Sequence, residues 1–158
     1  MLTIRAATIA DAALLRTMIW ELADFERERE EVLTTEADIA RDGFGANPQF
    51  QALIAEWHGQ PAGYALFFSY YSTWRGAGLY LEDLFVRPDF RGRGIGGALL
   101  ARVARAAEQG KRAFIKWEVL NWNQAIEMYT ALGADFLDEW RSVFLTGDGL
   151  RKLAERAS

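Results

Sequence analysis

Between Leu79 and Glu108 the chain changes its period, and no other stretch limits the possible folds so tightly. Leu79-Tyr80-Leu81-Glu82-Asp83-Leu84-Phe85-Val86 carries the aliphatic and aromatic bias of a buried strand, and Pro88, which lacks a backbone donor, ends it near Val86. Leu99, Leu100, Val103, Ala104 and Ala107 then recur at helical spacing as far as Glu108. Between strand and helix lies Arg91-Gly92-Arg93-Gly94-Ile95-Gly96-Gly97, so the first helical turn is nearly bare backbone. Its N–H groups have no partner inside the helix, the dipole makes that end positive, and glycine admits close approach of a ligand. With the forked donors of Arg91 and Arg93 alongside, the turn suits an anionic pyrophosphate. The plainer alternative is a tight strand-to-helix connection with solvated arginines.

The glycine spacing narrows the phosphate ligand. A Walker loop requires Gly-Lys-Ser/Thr where this run ends Gly96-Gly97-Ala98, and the dinucleotide fingerprint requires G-x-G-x-x-G where this chain has G-x-G-x-G-G. At 158 residues, 51% hydrophobic and 13% aromatic, the sequence is expected to form a single domain over 1–158 with a substantial core. It has no cysteine, which excludes disulfides, thiolate metal sites and a cysteine nucleophile, and no metal is expected. The net charge of -4 argues against general nucleic-acid binding and is compatible with a cationic substrate. Met1-Leu2-Thr3-Ile4-Arg5 opens an ordinary strand rather than a signal peptide, and no run reaches membrane-spanning length, so the expectation is a cytoplasmic protein without membrane association.

The remaining elements read as follows. A strand over 2–6 precedes an N-cap at Thr8 with Asp11 as its acidic partner, then a helix to about Phe25 with Leu14, Leu15, Met18, Ile19 and Leu22 on one face. Thr34-Thr35-Glu36-Ala37-Asp38 signals a second N-cap, and the short helix that follows stops at Gly43. Strands over 50–57 and 62–71 flank a turn that holds His58, the only histidine, in an exposed structural role. A parallel strand is expected over 113–119, a helix through Ala125, Ile126, Tyr129 and Leu132, last strands over 136–137 and 141–145, and a terminal helix over 150–157. The fold class is therefore α/β, a mixed central sheet flanked by helices with a βαβ unit in its middle.

Arg91, Gly94 and Gly96 satisfy Q/R-x-x-G-x-G/A, the acyl-CoA loop of the Gcn5-related N-acetyltransferase superfamily. The flanks carry the resemblance further. Asp42-Gly43-Phe44-Gly45, Tyr80-Leu81-Glu82-Asp83, Trp122-Asn123, Tyr129 with Gly133-Ala134, and Trp140-Arg141 resemble, in that order, the branch that acetylates diamines, spermidine and spermine. This resemblance implies acetyl-CoA as cofactor, held by Arg91, Gly92, Arg93, Gly94, Ile95, Gly96, Gly97, Asn123 and Tyr129, with the backbone of Leu84, Phe85 and Val86 pairing with the pantetheine arm. It implies a small-molecule amine acceptor bound by Glu26, Glu82, Asp83 and Trp140, and a homodimer. Ser72 stands where polyamine enzymes carry a further acid.

Acetyl transfer to an amine requires a base for the attacking nitrogen, a polarised carbonyl and a proton for the departing thiolate. Glu82, a strand carboxylate with Tyr80 and Leu84 on its own face, is the expected base; its alternative is a structural ion pair. Strand alternation sends Asp83 to the opposite face unless the strand is bulged. Tyr129 read alone is first a core ring. With the resemblance it falls on the family's acid tyrosine, and a phenol of pKa about 10 can supply a thiolate of about 8.5. Two alternatives stay open: a CoA-sensing module without catalysis, and an acetyltransferase that modifies proteins.

Overall fold

In a computed structural model, which describes residues 1–157, the chain forms two compact units, one from Met1 to Leu120 and a second from Asn121 onward. In the first, β1 (Leu2–Ala6), β2 (Gln51–Trp57), β3 (Gln60–Ser72), β4 (Gly76–Val86) and β5 (Ile115–Lys116) lie side by side in that order. The first four are antiparallel and β5 runs parallel to β4. Helices α1 (Ala12–Phe25), α2 (Glu36–Phe44) and α3 (Ile95–Gln109) flank the sheet. The mixed α/β architecture and the βαβ unit of β4, α3 and β5 are those read from the sequence.

Both faces of the sheet are covered, and alternation assigns the residues. Tyr64, Leu66 and Phe85 share a buried cluster with Leu15 and Met18 of α1 and Ile39 of α2. Ala65, Phe67 and Leu81, one step out of phase, are buried on the other side, where α3 brings Ile95, Leu99, Leu100 and Val103. The turn at Thr8 forms its capping box, and Asp11 also takes two hydrogen bonds from the Arg5 guanidinium, at 2.8 and 2.9 Å. These contacts, the Arg5 bonds foremost, hold the Asp11 carboxyl down at about 2. The hairpin between β2 and β3 turns through His58 and Gly59, both at positive φ, and the exposed His58 imidazole meets the Met1 amine at 2.8 Å.

Three expectations change. The strand expected over 113–119 is only Ile115–Lys116, because β5 leaves β4 just before the latter bulges. No strand forms over 136–137 or 141–145: apolar alternation marks a strand only where a neighbour supplies the ladder, and these residues pair with none among the described residues. Phe136, Leu137, Val143 and Phe144 are exposed instead. The second unit consists of α4 (Ala125–Ala131), α5 (Gly147–Ala154) and irregular chain.

Candidate active site

The site begins with an extra residue in β4. In the ladder with β3, Leu66 faces Asp83 and Phe67 faces Leu81, so Glu82 has no opposite number and β4 bulges there. Simple alternation puts Asp83 on the face opposite Glu82; the bulge cancels one step and brings both carboxylates to the face of Tyr64. It also takes Leu84, which pairs with Ala65, off the face of Glu82. For Asp83 the exception allowed for a bulged strand applies, and the expected shared face of Glu82 and Leu84 is corrected.

Fully buried Tyr64 donates its phenolic proton to the Asp83 carboxylate at 2.8 Å. Half-buried Glu26, the residue that caps α1, lies close enough to Glu82 to feel its charge. Burial first, and then Glu82, raise Glu26. Burial first, and then Glu118, raise Glu82. Asp83 goes furthest, to about 6: burial drives it up, the Tyr64 hydrogen bond opposes, and Glu82 and Glu26 add to the rise. Tyr64 is raised as well, by burial and then by Asp83.

Sequence reasoning gives no role to Glu118 or to the Tyr80 hydroxyl, yet they complete this cluster. Glu118 accepts a hydrogen bond from Tyr80, whose phenol is pushed up to about 12 by burial first and then by the Glu118 charge. The available signal is positional: Glu118 follows two residues after Lys116, the register partner of Tyr80.

A concentration of carboxylates that share a face costs stability at neutral pH, and its sign can be worked out for Asp83. Its pKa rises on folding from 3.8 to about 6, so the folded chain holds the proton more tightly. The stabilising contribution is full below 3.8 and is lost as pH rises through about 6. Asp83→Asn, which keeps an acceptor for Tyr64, is therefore expected to raise stability at pH 7 by up to about 3 kcal/mol, a gain that disappears in acid. Thermal melts of both proteins at pH 7 and pH 4 check this; an equal difference at the two pH values would contradict it.

On the other side of the bulge lies the glycine turn. Gly94 is the N-cap of α3 at φ +75°, Gly92 has φ +74°, and a Cβ added at Gly92, Gly94 or Gly97 would meet nothing within 4 Å. The first turn of α3 thus presents unpaired N–H groups to open space, as an anionic pyrophosphate requires. Arg91 places its guanidinium 4.6 Å over the Phe25 ring and donates from Nε to the Val86 carbonyl at 2.9 Å; Arg93 donates to the Asp89 carbonyl at 3.3 Å. Beyond Tyr80, the side of β4 away from β3 has no strand partner among the described residues, which leaves an edge along Leu84 and Phe85 for an added extended chain. Buried Ile95 anchors the start of α3, and a Cβ added at Gly96 would lie 3.7 Å from the Val86 side chain, an ordinary contact. These features fit acetyl-CoA: nest, dipole and edge are all accessible.

Glu26, Glu82 and Asp83 are thus brought together, and Leu84, Phe85, Val86 and the residues from Arg91 to Gly97 form a second contiguous group. The other three candidates belong to the second unit. Asn123 accepts from the Ala125 N–H at 2.9 Å through its side chain and so steadies the start of α4. Tyr129 is buried on α4, and Trp140 is exposed outside regular structure.

Residues 14–134 match the profile of the Acetyltransferase (GNAT) family, a match that runs through both units. The chain is 39% identical to thialysine N-epsilon-acetyltransferase of Sus scrofa over 96% of each chain. It is 38% identical to the human spermidine/spermine N(1)-acetyltransferase-like protein 1 over 83% of this chain and 20% of that protein. Among solved structures, an integron cassette protein from the V. cholerae mobile metagenome superposes with a TM-score of 0.78 at 24% identity, covering 98% of both chains. An aminoglycoside N-acetyltransferase in complex with CoA gives 0.69 at 20% identity, over 94% of this chain and 95% of that one, and at such identities the likeness speaks for the fold. The family match and the near full-length identity to curated acetyltransferases agree with the glycine turn and the bulged strand beside it: the chain is an N-acetyltransferase of the GNAT family.

Proposed function

We propose that this protein transfers an acetyl group from acetyl-CoA to the primary amine of a small cationic molecule by direct attack. The observation that carries the reading is the bulge at Glu82, which gathers Glu26, Glu82 and Asp83 on one face beside the glycine turn. When bound, acetyl-CoA supplies an acetyl group activated as a thioester. The N–H groups of the Arg91-to-Gly97 turn would hold its pyrophosphate, and the open edge of β4 at Leu84 to Val86 its pantetheine arm, with Asn123 and Tyr129 as further contacts on the resemblance.

The chain's own residues divide the remaining work. A protonated amine has no lone pair, and the Glu82 carboxylate takes up that proton, directly or through one water. A raised pKa suits this task, because a base close to the operating pH is both ionised and strong enough to accept. Glu26 and Asp83 hold the cationic acceptor over the bulge, and Tyr64 fixes Asp83. The Tyr129 hydroxyl supplies the proton that the departing sulfur requires. Trp140 contacts the acceptor and two copies form a homodimer, both on the resemblance, and the protein works in the cytoplasm as a single domain. Light scattering that reads a monomer at micromolar concentration would remove the dimer.

The names of the relatives, thialysine and polyamine acetyltransferases, put a lysine-like amino acid, a diamine or a polyamine first among acceptors. Ser72 favours the short ones. It closes the β3–β4 turn by accepting the N–H groups of Trp74 and Arg75, both at 3.2 Å, and brings no negative charge for a distal ammonium. The decisive experiment is thiol release from acetyl-CoA with a panel of lysine-like amino acids, diamines and spermine. Turnover with the short acceptors exceeding that with spermine is expected; no release with any amine overturns the reading.

The glycine turn has its own test. Gly94→Val forces a β-branched residue to φ +75° and places its side chain where the ligand would approach. Left-handed backbone costs an ordinary L-residue about 1–2 kcal/mol, small enough for the fold to survive. The expected result by calorimetry is an acetyl-CoA dissociation constant raised by at least about tenfold, some 1.4 kcal/mol. Unchanged affinity in a folded variant takes the turn out of the site.

A further inference from the structure

We propose that Phe25 is a positioning residue shared by the two substrates: its ring seats the Arg91 guanidinium for the cofactor pyrophosphate, and its place on α1 sets where the neighbouring Glu26 carboxylate meets the amine. The inference rests on the acetyl-transfer reading above and deepens it. Phe25 is the last residue of α1, and Glu26 follows it as the C-cap. The helix closes there in a doubly bonded turn. Arg27 takes a left-handed φ of +64°, its N–H donates to the Asp24 carbonyl at 3.1 Å, and the Glu28 N–H donates to the Ala23 carbonyl at 2.8 Å. The backbone from Ala23 to Glu28 is thereby one unit, and it carries both the Phe25 ring and the Glu26 carboxylate.

Two guanidinium groups from beyond β4 grip this end of α1. Glu21 and Phe25, four residues apart, share a face of the helix, and Arg87 and Arg91, also four apart, reach them. Arg87 gives Glu21 two hydrogen bonds, at 2.8 and 2.9 Å, and a third to the Pro61 carbonyl at 3.0 Å. Every nitrogen of that guanidinium is spent inside the protein. Arg91 differs: its Nε bonds the Val86 carbonyl at 2.9 Å and its guanidinium carbon lies 4.6 Å over the Phe25 ring, while neither Nη has a hydrogen-bond partner among the described residues. A guanidinium held by one edge and one face keeps its free fork in a fixed direction, as a pair of phosphate oxygens requires. Gly92, next along the turn, has no side chain to brace it, so the support comes from α1. Phe25 is also placed for this task rather than for packing, being 38% exposed and outside the buried cluster under α1.

The test is a double-mutant cycle on the full-length protein, with acetyl-CoA as the titrant in calorimetry. Phe25→Leu removes the ring face and keeps apolar bulk, and a cation–π contact at an exposed site is worth about two- to fivefold in affinity. The acetyl-CoA dissociation constant is expected to rise by that factor where Arg91 is present and to stay unchanged in an Arg91→Ala background. With the amine that turns over fastest in the thiol-release panel, the acceptor KM should rise while kcat is retained. Phe25→Tyr, which keeps the ring face, should restore both values. Leucine is at least as good a helix former as phenylalanine, so the variant retains the fold, and a thermal melt verifies it. No weakening, or equal weakening with and without Arg91, overturns the seating of the guanidinium; an unchanged acceptor KM overturns the link to Glu26. A wild type that binds acetyl-CoA but acetylates no amine overturns the acetyl-transfer reading instead, and leaves the cycle between Phe25 and Arg91 to stand or fall by calorimetry.

Discussion

Tyr129→Phe is expected to lower kcat by roughly 10²-fold, within the range of one acid–base group, with little change in acetyl-CoA affinity. The substitution keeps the ring, which is buried on α4, and removes only the hydroxyl, so it separates packing from proton transfer. A core tyrosine whose hydroxyl had no chemical part would give a variant of altered melting temperature and ordinary turnover. Single-turnover kinetics with a good amine acceptor, alongside a thermal melt, distinguish the two. Full activity would return Tyr129 to a packing role and leave the leaving sulfur to be protonated by water.

Glu82→Gln is expected to cost at least as much, about 10² to 10⁴ in kcat/KM, because an amide of the same shape cannot take the proton from the attacking nitrogen. The pH profile carries a second, independent readout. The Glu82 carboxyl is raised above 4.5, and a base is active only when ionised, so wild-type kcat/KM should fall as pH drops through that raised value. Glu118 contributes to the rise by its negative charge. Glu118→Gln should therefore move the acid limb of the profile to lower pH, whereas loss of a purely structural contact would scale the whole profile without displacing it. If Glu82→Gln retains wild-type activity, the base must be another group of the cluster, with Asp83 the nearest along the chain.

The stability cost of Asp83 and the chemistry proposed for Glu82 have one origin. Burial first and neighbouring negative charge second raise both carboxyls, so a gain in one property should appear as a loss in the other. Tyr64 occupies the junction: it belongs to the core cluster by its ring and to the site by its hydroxyl. The proposed amine site is thus built on a strand pair, which fixes its geometry more closely than a loop would.

Local chemistry was written in the sequence wherever it depends on residues close together along the chain. The strand that ends at Pro88, the glycine turn, and α3 from Ile95 to Gln109 could be read directly, because proline lacks a donor, glycine tolerates positive φ and period 3.6 marks a buried stripe. The capping boxes at Thr8 and Thr35 were equally local. What the sequence could not determine is whichever feature needs a partner from elsewhere. The last strands vanished because a strand exists only beside a ladder, and β5 shrank to two residues because its ladder with β4 ends at Tyr80, just before the bulge. The bulge itself is a mismatch in count between β3 and β4, visible only when Leu66 and Phe67 are set opposite Asp83 and Leu81. That single unmatched residue decides which face Asp83 occupies, and through it the charge, pKa and place of the whole acidic cluster, since side-chain direction in a strand follows the parity of pairing rather than the identity of the residue.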